Sequence, residues 1–412
     1  MKVLSLSTVF PNPDERGLGP FVRARLTAIA EFAEVKVLAP LPVLDYTNPK
    51  GHIHRRRAFP ATGVDGPIEV FFPRWIFPPL GTPLNILCLF LRLYPMVRRL
   101  RSRFRFNLID AHFGYPEGVA AALLAQAFHV PYTITLRGSE AVFVRNRYRR
   151  LAMGWAFRRA NGIITVSEEL RRLAIAQGVA ANKVVTIPNG IDQNVFYPRN
   201  RAQARGKYGI APSRKTIVSA GEIIEAKGHQ YVAQAVRELV TEGVDVELLI
   251  VGSTARGGPK YEATLRGFVA NLDLGNRVRF IGWADPEEMA ELLSAADVFC
   301  LASFTEGWPN VVHEAQACGT PIVATRVGAV PDMVPTMEYG LTVPVRDVPA
   351  LVRALRTALA TEWDHKQIAL WGGSRSWSQV AQEVSDVFNR IAPEVTTHKQ
   401  QSAESRVGII DA

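Results

Sequence analysis

Two glutamates, Glu306 and Glu314, stand with seven residues between them in the stretch DVFCLASFTEGWPNVVHEAQACGTPIVAT, residues 297–325. The apolar run 298–302 predicts a buried parallel strand, and a loop carrying Glu306 follows it. Pro309-Asn310 then opens a helix over about residues 311–318, which Gly319 stops, and residues 322–325 form a second buried strand. The unit is a strand–helix–strand crossover. Its loop lies beyond the carboxyl end of a strand, where open α/β sheets bind ligands. The first helical N–H groups, from about Asn310 and Val311, are unpaired and sit at the positive end of the dipole, a seat for a phosphate. Carboxylates beside that seat repel a phosphate, so they suit hydroxyls: one set on a ribose, another on a sugar. The spacing therefore describes a nucleotide-sugar site.

The same residues carry a family resemblance. E-G-W-P-N-V-V-H-E, followed by Ala315, Gly319 and Pro321, resembles the Glu-x7-Glu signature of glycosyltransferase family 4, the retaining nucleotide-sugar transferases with the two-domain GT-B fold. The resemblance implies that Glu306 contacts donor-sugar hydroxyls and Glu314 the ribose. Gly307, Trp308, Pro309, Asn310 and Val311 would form the donor loop and the helix start that meets the pyrophosphate. Gly19-Pro20-Phe21-Val22-Arg23, in a glycine-bearing turn after the first strand, resembles the matching loop of bacterial polysaccharide enzymes of the teichuronic-acid type, which assigns Gly19 to the donor side. Asp110-Ala111-His112-Phe113-Gly114 ends another strand. A histidine there is well placed for chemistry, and the resemblance makes His112, with Glu306, a catalytic residue reaching the donor sugar.

One departure stands out. In Gly221-Glu222-Ile223-Ile224-Glu225-Ala226-Lys227-Gly228, Lys227 matches a family lysine on the pyrophosphate, but Glu222 occupies the place of the usual arginine. A carboxylate there opposes a phosphate, so another cation, from the basic first domain, substitutes, or activity is lowered or lost. Ile281 and Trp283, at a later strand end, match positions near the nucleotide base. Arg137-Gly138-Ser139-Glu140 resembles a loop whose last residue is usually Asp.

The rest of the chain supplies the frame. Its 412 residues predict two or three domains, and 48% apolar with 21% charged residues is ordinary for a globular protein. Cys88, Cys300 and Cys318 form no pair motif, which points to a reducing compartment with neither disulfides nor cysteine-bound metal. Residues 1–10 read as a first strand, not a signal peptide. The net charge of +10 is uneven: residues 1–190 hold 26 Lys and Arg against 12 Asp and Glu, a balance of +14, and the remainder balances at −4. With no nucleic-acid motif present, an anionic acceptor or membrane surface explains this better.

Residues 41–77 read as irregular, and His52, His54 and Arg55-Arg56-Arg57 as a solvated basic loop rather than a metal site. The apolar run 84–97, carrying Arg92 and Pro95 and followed by Arg98, Arg99, Arg101, Arg103 and Arg105, is too short to span a bilayer. It reads as a buried helix, with one face dipped into a membrane as the alternative. Pro188-Asn189-Gly190 marks a linker.

These readings predict an α/β protein, two Rossmann-like domains facing across a cleft: residues 1–192 on the acceptor side, 193–376 binding the nucleotide-sugar, 377–392 a helix crossing back, and 393–412 a disordered tail. The expected reaction passes a sugar from a nucleotide-sugar to a glycan or lipid-linked acceptor hydroxyl, with retention. No Asp-x-Asp occurs, so no metal and no other cofactor are expected, and the resemblance implies that the leaving phosphate takes the acceptor proton. The enzyme is expected in the cytoplasm, possible partners including an anionic membrane surface but no nucleic acid. A sugar-nucleotide epimerase and, because of Glu222, a non-catalytic binding subunit are the alternatives.

Overall fold

The computed structural model describes residues 1–15, 17–45, 54–55, 61–77, 82–254 and 258–393. The tail from residue 394 and nearly all of the basic loop at His52–Arg57 lie outside that set, as do the side chains of His54 and Arg55.

The first sheet is built from β1 (Lys2–Leu6), β2 (Glu34–Leu38), β3 (Thr62–Asp65), β4 (Ile68–Phe71), β5 (Leu108–His112), β6 (Tyr132–Leu136), β7 (Gly162–Thr165) and β8 (Val184–Thr186). Its order is β8-β7-β6-β5-β1-β2-β4-β3, parallel throughout except the β3–β4 hairpin at one edge. The second comprises β9 (Lys215–Ala220), β10 (Val246–Val251), β11 (Val278–Gly282), β12 (Val298–Leu301), β13 (Ile322–Thr325) and β14 (Gly340–Val343), in the order β11-β10-β9-β12-β13-β14. Each is a doubly wound sheet whose strand order reverses beside its first strand. That reversal opens a crevice at the carboxyl ends of β1 and β5 in one domain and of β9 and β12 in the other. Both sheets are buried on both faces, as parallel sheets require.

The expected irregularity of residues 41–77 is corrected in part. Residues 62–71 form a hairpin whose second strand extends the parallel sheet beside β2. The signal was present: Gly66-Pro67 is the two-residue turn between the paired Asp65 and Ile68, Gly66 has φ 59° at its first position, and Ile68 and Val70 alternate inward around Glu69. Short strands also occur at Leu41–Pro42 and Arg74–Trp75.

Among the helices, α1 (Pro20–Ile29) follows β1, α2 (Thr82–Arg103) precedes β5, and α3 (Arg147–Arg159) lies between β6 and β7. In the second domain, α4 (Asn310–Ala317) joins β12 to β13, α5 (His365–Gly372) packs on α4, and α6 (Trp377–Ile391) ends the described chain. Helix α6 lies against α1, its Val380, Val384 and Phe388 buried with Val22 and Leu26 of the first domain. A serine cap with Gln379 fixes its start.

The chain thus crosses between domains twice, and the two crossings are tied together. Ile191 N–H donates to the Arg375 carbonyl at 2.9 Å. The Arg375 guanidinium bonds the Pro188 carbonyl at 3.2 Å and Glu383 at 2.7 Å. No helix among the described residues is long and apolar enough to cross a membrane.

Candidate active site

The loops after β9 and β12 bring Lys227 and Glu306 together. Lys227 Nζ lies 2.6 Å from Glu306 Oε1, and the Glu306 side chain keeps only 9% of its surface exposed. The glycine-flanked segment 221–228 turns Lys227 inward, its alkyl stem lying along Gly221. Next to them α4 begins at Asn310, with Pro309 ahead of it and no side chain capping it. Its first N–H groups are left for a ligand. One turn into the helix, Glu314 is half-buried and has no side-chain partner among the described residues. Burial pushes its carboxyl up to about 7. The four features lie along one crossover and its neighbouring loop: a lysine, a helix N-terminus and two carboxylates, one paired and one without a side-chain partner among the described residues.

The first domain closes on this patch through bare backbone. A Cβ at Gly307 would stand 1.8 Å from the Arg137 carbonyl oxygen, and one at Gly138 would stand 2.7 Å from the Gly307 Cα. Gly138 also has φ 129°. Two glycines are therefore needed for the domains to meet here. A side-chain relay runs alongside: Arg137 donates to Asn189 Oδ1 at 3.2 Å, and Asn189 Nδ2 donates to Asn310 Oδ1 at 2.9 Å. The guanidinium also lies over the Phe21 ring at 5.1 Å, at the start of α1. Trp308 packs against the cores of both domains and meets the His313 ring edge-on at 5.6 Å. Its indole N–H is buried without a partner among the described residues.

His112 ends β5, the strand end at which the sequence places it, and its side chain is held inside the domain. It has no exposed surface. Arg137 donates to its Nδ1 at 3.0–3.1 Å, and its Nε2 lies 3.1 Å from Asp110 Oδ2. Burial outweighs the aspartate and lowers its pKa to about 4, so the ring is neutral, with its proton on Nε2. In this structure the ring orients Arg137. Glu140 does the same for the loop, accepting from Gly114, Arg137 and Gly138 backbone N–H groups at 2.7, 3.2 and 2.8 Å. A longer acid in place of the usual Asp still ties this turn.

Gly19 is buried ahead of α1 with φ 64°, its space closed by the Val9 carbonyl. Ile281 packs against the second-domain core. Trp283 is 64% exposed and lies beside Gly17 of the first domain. Val311 is half-buried against the core, and Glu222 is half-buried, its backbone bonded by the fully buried His229. Arg137 and Asn189 were absent from the sequence-derived site, although the segments holding them were recognised. Their spacing reveals nothing of the relay, which exists only once the domains meet. Among the described residues no group of three or more His, Cys, Asp or Glu could hold a metal.

Two facing doubly wound domains with a crevice between them define the GT-B class of glycosyltransferase folds. The chain matches the model "Glycosyltransferase Family 4" over residues 47–195 and "Glycosyl transferases group 1" over residues 200–369, and it belongs to glycosyltransferase family 4. It is 29% identical over 282 residues to the N-acetyl-alpha-D-glucosaminyl L-malate synthase of Bacillus anthracis, covering 68% of this chain and 72% of that one. It is 26% identical over 389 residues to TuaC of Bacillus subtilis (strain 168), named as a teichuronic acid biosynthesis glycosyltransferase, covering 89% and 90%. Its fold is similar to that of sucrose-phosphate synthase from Thermosynechococcus elongatus, with a TM-score of 0.77 at 22% identity over 95% of this chain and 99% of that one. Anabaena Alr3699/HepE, solved in complex with UDP and glucose, gives a TM-score of 0.72 at 21% identity over 94% and 99%. The enzyme is a glycosyltransferase.

Proposed function

We propose that this enzyme passes a sugar from a nucleoside-diphosphate sugar to an acceptor hydroxyl with retention of anomeric configuration, in assembling a cell-surface polysaccharide or glycolipid. The observation that carries the reading is the grouping of Lys227, Glu306, the uncapped start of α4 and the partnerless Glu314. Lys227 and the α4 N–H groups suit the two phosphates, Glu314 the ribose hydroxyls and Glu306 the sugar hydroxyls. The UDP named with the Anabaena structure and the sugar transfers named for the bacterial relatives support the same substrate class.

The bond from the anomeric carbon to the diphosphate oxygen breaks as the acceptor oxygen bonds that carbon, and the acceptor proton passes to the leaving phosphate. Positive charge grows on the sugar and negative charge on the diphosphate. Lys227 and the helix dipole stabilise the latter. Glu222 opposes it, and Arg137, held at the domain contact by His112 and Asn189, supplies the compensating positive charge. The reading needs no divalent metal. Glu306 and Glu314 flank an anion seat, which speaks against a glycosidase-type acid–nucleophile pair. The site of work is the cytoplasmic face of a membrane, with the acceptor borne on a glycan or a lipid.

The test incubates the purified protein with a panel of nucleotide-sugars and candidate acceptors and follows nucleoside diphosphate release and the anomeric NMR signal of the product. Release with the donor's own anomeric configuration supports the reading. An inverted product, or an isomerised nucleotide-sugar with no transfer, contradicts it.

A further inference from the structure

Helix α2 is apolar on two faces, and only one of them is used by the core. Leu89, Leu93 and Val97 are fully buried under the first sheet. Leu84, Leu87 and Leu91 fall on the opposite side and are 54, 49 and 60% exposed, with exposed Arg98 continuing their row two turns on. Single exposed leucines are ordinary, but a row of them is an interaction surface.

On its inner side the helix is joined to a neighbouring segment: the buried Asn85 side chain hydrogen-bonds the Tyr115 hydroxyl, and the Tyr115 ring meets Phe143 edge-on at 6.0 Å. Beyond Phe143, Val142, Tyr148 and Leu151 are 44, 64 and 59% exposed. Arg149 bridges this junction, lying over the Tyr115 and Phe143 rings at 5.4 and 4.8 Å. Neither residues 82–105 nor residues 141–159 contain a single Asp or Glu. Arg145, Arg147 and Arg150 are exposed, and no carboxylate pairs with them among the described residues. Tyr115 follows β5 by three residues, so this surface borders the first domain's wall of the cleft.

We infer that the exposed leucine row of α2 and the exposed basic and apolar residues of 142–151, held together by that junction, dock onto an anionic phospholipid bilayer. Leucines enter the interface while arginines meet the headgroups, as a surface-lying helix does. A second copy of the chain is the poorer occupant, because a two-fold contact sets this acid-free basic face against itself. Docked so, the acceptor side of the cleft opens at the lipid surface, where a lipid-borne acceptor presents its headgroup. The inference deepens the proposed site of work, and its failure is distinguishable: transfer to a soluble acceptor is assayed without vesicles.

The experiment is co-sedimentation of the full chain with phosphatidylglycerol-containing and pure phosphatidylcholine vesicles at low and high salt. Recovery on the anionic vesicles, falling as salt shortens the Debye length, is the expected result. Arg145→Glu/Arg147→Glu/Arg150→Glu lowers the partition coefficient by roughly a hundredfold or more, from the sum of three surface charges. Leu87→Ser/Leu91→Ser lowers it at constant charge, and both variants keep the wild-type melting temperature and nucleotide binding. Equal recovery on both vesicle types, none on either, or variants that sediment like wild type overturns the inference. So does a dimer that either variant dissociates.

Discussion

The two walls of the cleft hold their charged groups differently. On the first-domain wall the groups at the contact are tied to one another, His112 to Arg137 and Asp110, Glu140 to three backbone N–H groups, Arg137 to His112 and Asn189, while Arg25 is buried with two of its guanidinium nitrogens unpaired among the described residues. On the second-domain wall, among the described residues, Glu314 has no side-chain partner, α4 has no side-chain cap, and Lys227 and Glu306 hold only each other. A buried polar group is costly unless paired. The unpaired groups of the second wall gather at a helix start, which suits them to a ligand, whereas the tied groups of the first wall present a fixed surface.

Breaking the contact between the walls gives the largest effect. Gly307→Val places a side chain where the Arg137 carbonyl stands and holds the domains apart. Transfer should fall by about 10³-fold or more, since misplacing reacting groups by an ångström already costs about 10²-fold. Nucleoside diphosphate affinity, a property of the second wall, should change less than about tenfold. Calorimetry beside a transfer assay separates the two.

Glu306→Gln acts within the open wall. It should lower kcat by about 10²-fold, in the range of lost transition-state hydrogen bonds, and leave nucleoside diphosphate affinity within about threefold. Equal losses in both would place Glu306 on the nucleotide instead.

Stability against pH sharpens the comparison further. Burial raises Glu314 to about 7, and it raises Glu117, which accepts from Thr8, to about 7 as well. A carboxyl whose folded pKa is raised favours folding below its ordinary range near 4.5, and that contribution is lost as pH climbs through about 7. The buried His112, His229 and His313, each lowered to about 4, act in the opposite sense below pH 6.5, so the acid's share is read from the variant: Glu314→Gln should gain stability relative to wild type as pH rises from 5 to 8. A variant whose stability tracks wild type across that range would contradict the raised pKa of Glu314. The smallest expected effect is that of EDTA. Transfer should continue in its presence, and loss of activity restored by manganese or magnesium would require a metal site.

The second wall was legible in the sequence and the first much less so. The Glu306–Glu314 spacing, the helix start at Asn310 and Lys227 are local: one crossover and one glycine-flanked turn place them, and a strand end dictates where they face. Both doubly wound sheets followed from the same local signals. His112 was read as a reaching residue because its strand-end position is local, whereas its burial depends on Arg137 folding back from β6. The relay from Arg137 through Asn189 to Asn310 joins residues 52 and 121 positions apart, and no periodicity encodes such a meeting. The hairpin at residues 62–71 was missed for a simpler reason. Its Gly66-Pro67 turn lies among prolines and arginines that obscured a short alternation. The dual character of α2 needed the sheet itself, since only packing shows which apolar face is left over.

The central claim is that the open carboxylate on the second wall holds a ribose. Its most direct test is calorimetric binding of a nucleoside diphosphate and its 2′- and 3′-deoxy analogues to the wild-type enzyme and to Glu314→Gln. The wild type should prefer the ribose form over the deoxy form by roughly 10- to 100-fold, the equivalent of a charge-assisted hydrogen bond of about 1.5–3 kcal/mol. Glu314→Gln should lose most of that preference while still binding the deoxy form as tightly as wild type does. A variant that discriminates as sharply as wild type, or a wild type that does not discriminate at all, would contradict the account.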